Sequence, residues 1–393
     1  LIGSLAGDAL TTGQYNVALG YNALTAEDTG SRNTAIGYEA LEDLNFDGDG
    51  YNTAVGFLAG NKVSTGESNN LIGGLAGDAL TTGSYNTAIG VTALGADTKG
   101  SRAIAIGHGA LLNQNFTTAT DNYNIAIGHN AGLALTTGEH NLLIGGLAGD
   151  AITTSPKNTC VGTYSGSAIS TGFGNSTCLG YNAGASVTTG SGNTLIGASA
   201  GNLTVFLQTG DNNTVVGTGS RTSSTSVDSE IVLGYNITGA GTNTVRIGTS
   251  SGGTATLNLD GSDTSWAAAS DERLKKDVAD STVGLSFINA LRPVTFKWKA
   301  KNAVADTLPQ YDEDSSDPVY GEGKAHHGFI AQEVKAVIDA NSDVANGHNI
   351  WIEDPDGTQQ IAPSALIPML VKAIQEQNEL IEALTARVAT LEG

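Results

Sequence analysis

Acidic side chains close together could do chemistry, and the first such group in this chain is Glu42, Asp43 and Asp47. Glycoside hydrolysis uses two carboxylates about 5 to 10 Å apart, and Glu42 with Asp43 or Asp47 is the best pair that this part of the chain offers. Asp43, Asn45, Asp47 and Gly48 also match the start of a calcium loop, D-x-[DN]-x-[DN]-G. Ala54, however, stands where the bidentate Glu belongs, so a solvated acidic turn is expected and no metal or cofactor. Cys160 and Cys178 each lie two residues before a recurring glycine and should stack as neighbours on one face. Their parallel Cβ bonds suit a disulfide poorly, so buried free thiols are expected.

These groups sit on a repeat. The element Asn-x-Ala-Ile-Gly, with variations, ends at fifteen glycines from Gly3 to Gly248, and most spacings are 17 residues. LIGSLAGDALTTG at Leu1, LIGGLAGDALTTG at Leu71 and LIGGLAGDAITTS at Leu143 superimpose a longer period of four units, the mark of block duplication. The two residues before each glycine are nearly all apolar and in a strand point to opposite faces. One face should therefore fill the coil's own interior and the other should meet a neighbouring chain. Asn16, Asn33, Asn52, Asn69, Asn86, Asn124, Asn141, Asn158, Asn193 and Asn213 all stand four residues before a repeat glycine and are expected to form a hydrogen-bonded ladder. The Thr-Thr-Gly and Thr-Gly-Ser stretches read as turns in which glycine supplies positive φ. Wider spacings mark protruding loops, Asp43 to Tyr51, Asn113 to Tyr123 with Phe116, and Leu203 to Asn212 with Phe206, where recognition is expected.

The chain has 393 residues, 53 of them glycine, and a formal charge of −21, which argues against nucleic acid or an anionic membrane surface as partner. Its apolar runs fall far short of the roughly 20 residues of a membrane span, so no membrane insertion is expected. The start at Leu1, inside a pattern that recurs downstream, reads as a piece of a longer polypeptide whose upstream part would be a further partner. Trp266, Trp298 and Trp351 all lie beyond residue 260, so a different kind of structure follows the repeats.

The repeats resemble the β-roll heads of trimeric autotransporter adhesins and the glycine-rich shafts of phage tail fibres. Beyond Thr254 to Gly261, which reads as one more strand, come Ser270-Asp271-Glu272-Arg273-Leu274-Lys275, Leu291-Arg292-Pro293-Val294 and Gly328-Phe329-Ile330-Ala331-Gln332-Glu333-Val334. Leu366-Ile367-Pro368 and Ala373-Ile374-Gln375-Glu376 follow. In this order the motifs resemble the intramolecular chaperone domain that ends endosialidase-type tailspikes and many phage tail fibres. The resemblance implies a domain that assembles three chains, guides folding of the β-structure before it, and then cuts itself free. It places the scissile bond at Ala269-Ser270, with Ser270 as nucleophile and Lys275 as its base, and Ser270 would equally cap a helix starting at Asp271. Residues five apart share no face of a helix or strand, so a turn or a neighbouring chain must bring Ser270 and Lys275 together. Lys276 is the rival base and Arg273 an accessory oxyanion partner. His326, beside His327, is either a polarising group for the dyad or a surface-turn residue. Pro363 stands where many relatives have Tyr, Tyr311 to Asp317 reads as a solvated acidic loop, and Asp354-Pro355-Asp356-Gly357 as a hairpin turn.

The chain ends in heptads, with Ile367, Ile374, Ile381 and Val388 in one core position and Leu370, Gln377, Leu384 and Leu391 in the other. Ile with Leu alone would favour two strands, whereas the resemblance and the doubly apolar shaft strands favour three. The expectation is thus a mainly β chain: a trimeric β-roll or β-helix shaft over 1–250, a connecting strand over 251–269, an α+β chaperone domain over 270–363 and a coiled-coil helix over 364–393. As a function it implies the structural and receptor-binding part of a homotrimeric phage fibre or spike, on the virion and made in the host cytoplasm, with a polysaccharide or protein of a bacterial surface as receptor. The alternatives are a polysaccharide-degrading tailspike and a bacterial trimeric surface adhesin.

Overall fold

The computed structural model describes residues 1–172, 174–203, 205–259, 267–268, 272, 275–306, 308, 310–320, 323–345, 350–354 and 357–392. The chain divides into two compact units, Leu1–Ser270 and Asp271–Gly393.

The first unit is a β-solenoid. Three-residue strands, beginning with Val17–Leu19 and Thr34–Ile36, pair in parallel with the same repeat position of the next coil, as in Ala18 with Ala35 and Leu19 with Ile36. They build one sheet of sixteen strands in chain order, interrupted only by a small side pair formed from Gly100–Ser101 and Thr120–Asp121. The residue two before the glycine is buried in coil after coil (Ala18, Ala35, Ala54, Leu71, Ala88), and Ala or Ser three after it closes the interior from the opposite side. Where Ser replaces Ala, the hydroxyl finds a carbonyl of the following coil, as in Ser165 Oγ to Cys178 O at 2.6 Å. The residue immediately before the glycine points outward. Leu19, Ile72, Ile89 and Leu179 are 37–45% exposed in the single chain, which leaves an uncovered apolar column along the sheet.

Glycine is required where coils touch. Gly73 has φ +136°, and a Cβ there would lie 2.5 Å from the carbonyl oxygen of Gly90 in the next coil. The glycines of the Thr-Thr-Gly turns, Gly13, Gly83, Gly138 and Gly190, do not have positive φ, contrary to the reading of the turns, whereas several side-chain-bearing residues do. Leu24, Leu41 and Leu94, four residues after their glycines, are left-handed at φ +50° to +56°, while Gly60 and Gly77 occupy the same place in other coils. Such a conformation costs about 1–3 kcal/mol for a side-chain-bearing residue. Complete burial of the Leu side chain, with hydrogen bonds such as Leu24 N to Ala40 O at 3.0 Å, offsets it.

The asparagine column is the expected ladder and its role is structural. The backbone N–H of Asn52, Asn69 and Asn86 donates to Oδ1 of the Asn one coil earlier at 3.0–3.1 Å. Nδ2 donates onward to a carbonyl, as from Asn69 to Gly83 at 3.0 Å. The ladder ends at buried Glu230, whose N–H takes Asn213 Oδ1 and whose carboxylate accepts Ser223 N at 2.8 Å and Gly241 N at 2.6 Å. The interior is closed in turn by Arg246, which stands in the inward column and donates to Thr256 Oγ1 and to the Thr238 and Gly239 carbonyls. There the sheet reverses: Gly253–Asn258 and Ala267–Ala268 add antiparallel strands, so the connecting segment continues the shaft sheet.

The second unit is small and α+β. It contains helix α1 (Leu285–Ala290), helix α2 (Ala331–Asp339), the short helix α3 (Ser342–Ala345), helix α4 (Ile367–Glu392) and two antiparallel strand pairs, Val294–Phe296 with His326–Gly328 and Trp351–Glu353 with Gln359–Ile361. Phe287, Val334, Ile338, Ile350 and Leu366 form its core. Asp354 N donates to Thr358 O at 2.9 Å at the end of the second strand pair, while Pro355 and Asp356 of the expected Asp-Pro-Asp-Gly turn lie outside the described residues.

Candidate functional site

The acidic group of the shaft is tied up in contacts between coils. Glu42 accepts from Asn22 and Asn61, Asp43 pairs with Lys62 at 3.0 Å, and Asp47 accepts Thr29 Oγ1 at 2.5 Å. Among the described residues no three ligating side chains come together to hold a metal ion. Cys160 and Cys178 are register partners, both buried free thiols, and the hydrogen bond to Cys178 together with burial pushes the Cys160 thiol up.

The coils that precede two of the protruding loops carry two residues that sequence reasoning missed. Glu27 and Asp97 stand seven residues after their glycines, a place held by Leu10, Leu44 and Leu80 in other coils, and both are completely buried. Glu27 accepts the N–H of Gly30 at 2.7 Å and of Phe46 at 3.2 Å. Asp97 accepts Gly100 N and Phe116 N, both at 3.0 Å, and Gln114 Nε2 at 2.6 Å. Each carboxylate thus pins the aromatic residue of an inserted loop inward, and Phe116, only 5% exposed, is not available to a receptor. Phe206 in the loop at 203–212 is exposed, as are Tyr51 and Tyr123 at the ends of the other two loops. The available signal was an acid in a leucine column four units from another acid in the same column.

Burial raises both carboxyls from their usual values, against the opposing effect of the donors around them. The folded state then holds more protons than the unfolded one, so this contribution is fully present below about pH 4 and is lost as pH rises through the raised values. We expect the melting temperature of the shaft to fall as pH rises above about 4, and Asp97→Leu, which restores the common residue, to flatten that slope. A slope unchanged in Asp97→Leu would show that other groups set it.

In the second unit the motifs found in the sequence converge. Arg292 grips Glu333 through two hydrogen bonds, Nε to Oε2 at 2.9 Å and Nη2 to Oε1, joining segments 41 residues apart, and holds that carboxyl below its usual range. Glu376 Oε2 accepts the N–H of Leu285 at 2.7 Å, which satisfies an orphan donor in the first turn of α1. Ala373 is buried, whereas Ile367, Leu370, Ile374, Ile381, Leu384, Val388 and Leu391 are exposed, so α4 is left with an uncovered heptad seam.

Ala269, Ser270 and Arg273 lie outside the described residues. Lys275 is exposed, and its N–H donates to Glu272 O at 3.0 Å. Lys276 is exposed and 3.7 Å from Asp277. His326 is not in a surface turn but in a strand, where its ring stacks on Phe296 at 5.6 Å beside Trp298. Its Nε2 is buried with no hydrogen-bond partner among the described residues.

Residues 270–342 match the family model of the chaperone of endosialidase. The match opens at Ser270 and takes in the Arg292–Glu333 pair and α2, less than a fifth of the chain. Comparison with curated proteins and with solved structures finds no match. No helix among the described residues is long and apolar enough to cross a membrane. The matched segment thus comes after the β-solenoid in the chain.

Proposed function

We propose that this chain is a distal part of a homotrimeric phage tail fibre or spike, made in the host cytoplasm and carried on the virion. Its shaft contacts a bacterial surface receptor, and its C-terminal unit assembles three chains and then cuts itself away at Ala269-Ser270. The observation that carries this reading is the family match beginning at Ser270, immediately behind the solenoid. The two uncovered apolar surfaces support it: the outward Leu/Ile column of the shaft and the heptad seam of α4 both ask for further copies of the chain.

In the cut, Ser270 Oγ attacks the Ala269 carbonyl carbon, its proton passes to Lys275 and on to the departing Ser270 amine, and water hydrolyses the resulting ester. A lysine acts as base only when burial favours its neutral form, and Lys275 is exposed in the single chain. A neighbouring chain supplies that burial, so cleavage waits for assembly. His326 and Arg273 are accessory candidates.

Light scattering of uncut protein should give three times 39.8 kDa. A stable monomer would overturn the trimer. The mass of the mature chain tests the cut, and a product ending at Ala269 is expected.

A further inference from the structure

The residue five before each repeat glycine forms an outward column at the corner that precedes the strand, four residues away from the Leu/Ile column assigned to contacts between chains. It reads Tyr15, Arg32, Tyr51, Ser68, Tyr85, Arg102, Tyr123 and His140, all left-handed at φ +50° to +65°. Planar groups stack along it. The Arg32 guanidinium lies over Tyr15 at 5.1 Å and Tyr51 at 5.6 Å, and Arg102 over Tyr85 at 4.9 Å and Tyr123 at 5.8 Å. Tyr123 stacks on His140 at 5.5 Å.

Ser68 interrupts this run. Arg32 covers the face of Tyr51 turned to the preceding coil, and Arg102 the face of Tyr85 turned to the following one. The two remaining faces look at each other across Ser68, two coil spacings or about 10 Å apart. A ring placed midway would stand about 5 Å from each, within the range of about 4.5–7 Å for stacked rings. Tyr51 is 54% and Tyr85 48% exposed, so the slot opens to solvent.

Its rim selects against negative charge. Tyr85 Oη donates to Glu67 at 2.8 Å and Tyr51 Oη to Asp49 at 3.3 Å. Both guanidinium groups are neutralised by their own acids, Arg32 by Asp49 and Arg102 by Asp121, each at 3.0 Å. Carboxylates at the rim accept hydroxyl groups and repel anions, and the whole chain carries −21.

We propose that the slot over Ser68, between Tyr51 and Tyr85, binds one pyranose ring of an uncharged, hydroxyl-rich glycan. The proposal rests on the receptor-binding reading above and gives that receptor a site and a chemical class.

Ser68→Tyr tests it, because Tyr85 and Tyr123 occupy the same left-handed position and the added ring would continue the stack and fill the slot. The assembled full chain is applied to immobilised neutral bacterial oligosaccharides and to sialylated and phosphorylated ones, and in parallel to a panel of bacterial strains. Wild type should be retained by neutral glycans. Ser68→Tyr and Tyr51→Ala should lower retention about tenfold or more, the effect of losing a stacking contact of about 1.4 kcal/mol, with unchanged light-scattering mass. Ser68→Ala, which leaves the slot open, should bind as wild type does. Equal retention of Ser68→Tyr, or retention by acidic glycans alone, overturns the slot. Equal adsorption of wild type and Ser68→Tyr to cells also overturns it but leaves the receptor reading standing, whereas absence of adsorption of wild type to every strain and glycan removes both.

Discussion

Residues 1–269 expressed without the segment that follows are expected to aggregate or to assemble out of register, whereas the same residues released after assembly should remain a heat- and detergent-resistant trimer. The solenoid is stabilised by contacts between positions about 17 residues apart within a chain, as in Ala18 with Ala35. Its outward Leu/Ile column offers three chains almost identical surface at every coil, and a slip of one unit would bury nearly the same side chains. Non-local pairing is slow because chain entropy is lost before contacts repay it. In the proposed assembly helix α4 forms locally, and its heptad seam, polar only at Gln377, would set both chain number and alignment. The comparison is made on an unheated denaturing gel. An equal yield of resistant trimer from the truncated chain would show that the C-terminal unit is no chaperone for this shaft.

Ser270→Ala should abolish cleavage and leave full-length chain that still forms trimers, since the hydroxyl is asked to cut and not to fold. Lys275→Ala should do the same, and Lys276→Ala should still be cut. The loss is large because a nucleophile and its base act as one unit: removing either stops the same step. Mass spectrometry of the purified chains distinguishes the outcomes. Cleavage of Ser270→Ala at the normal rate would rule out the dyad. Dilution adds a second check, since uncut wild-type chain held below its assembly concentration should stay uncut if a neighbouring chain must bury Lys275.

Several features were legible in the residues because they repeat or because they are local. The coil length, the inward column of small and apolar residues, the asparagine ladder and the stacked cysteines all follow from a periodicity that permits few arrangements. The heptads of α4 are a local pattern of the same kind. Other features depend on what a side chain meets in space. Phe116 looked like a surface aromatic in a protruding loop, yet its N–H is held by Asp97 and its ring is buried, because a carboxylate inside the solenoid can be satisfied only by turning the loop inward. The left-handed Leu24 contradicts local preference, and coil-to-coil hydrogen bonding with complete burial outweighs it. His326 sits in a strand among aromatic rings since its pairing with Phe296 joins segments 30 residues apart. The slot at Ser68 has the same origin: the sequence lists tyrosines and arginines far apart along the chain, and only the stacking of coils sets two tyrosine faces opposite each other across a serine, because the coil spacing is a property of the sheet and not of any one residue.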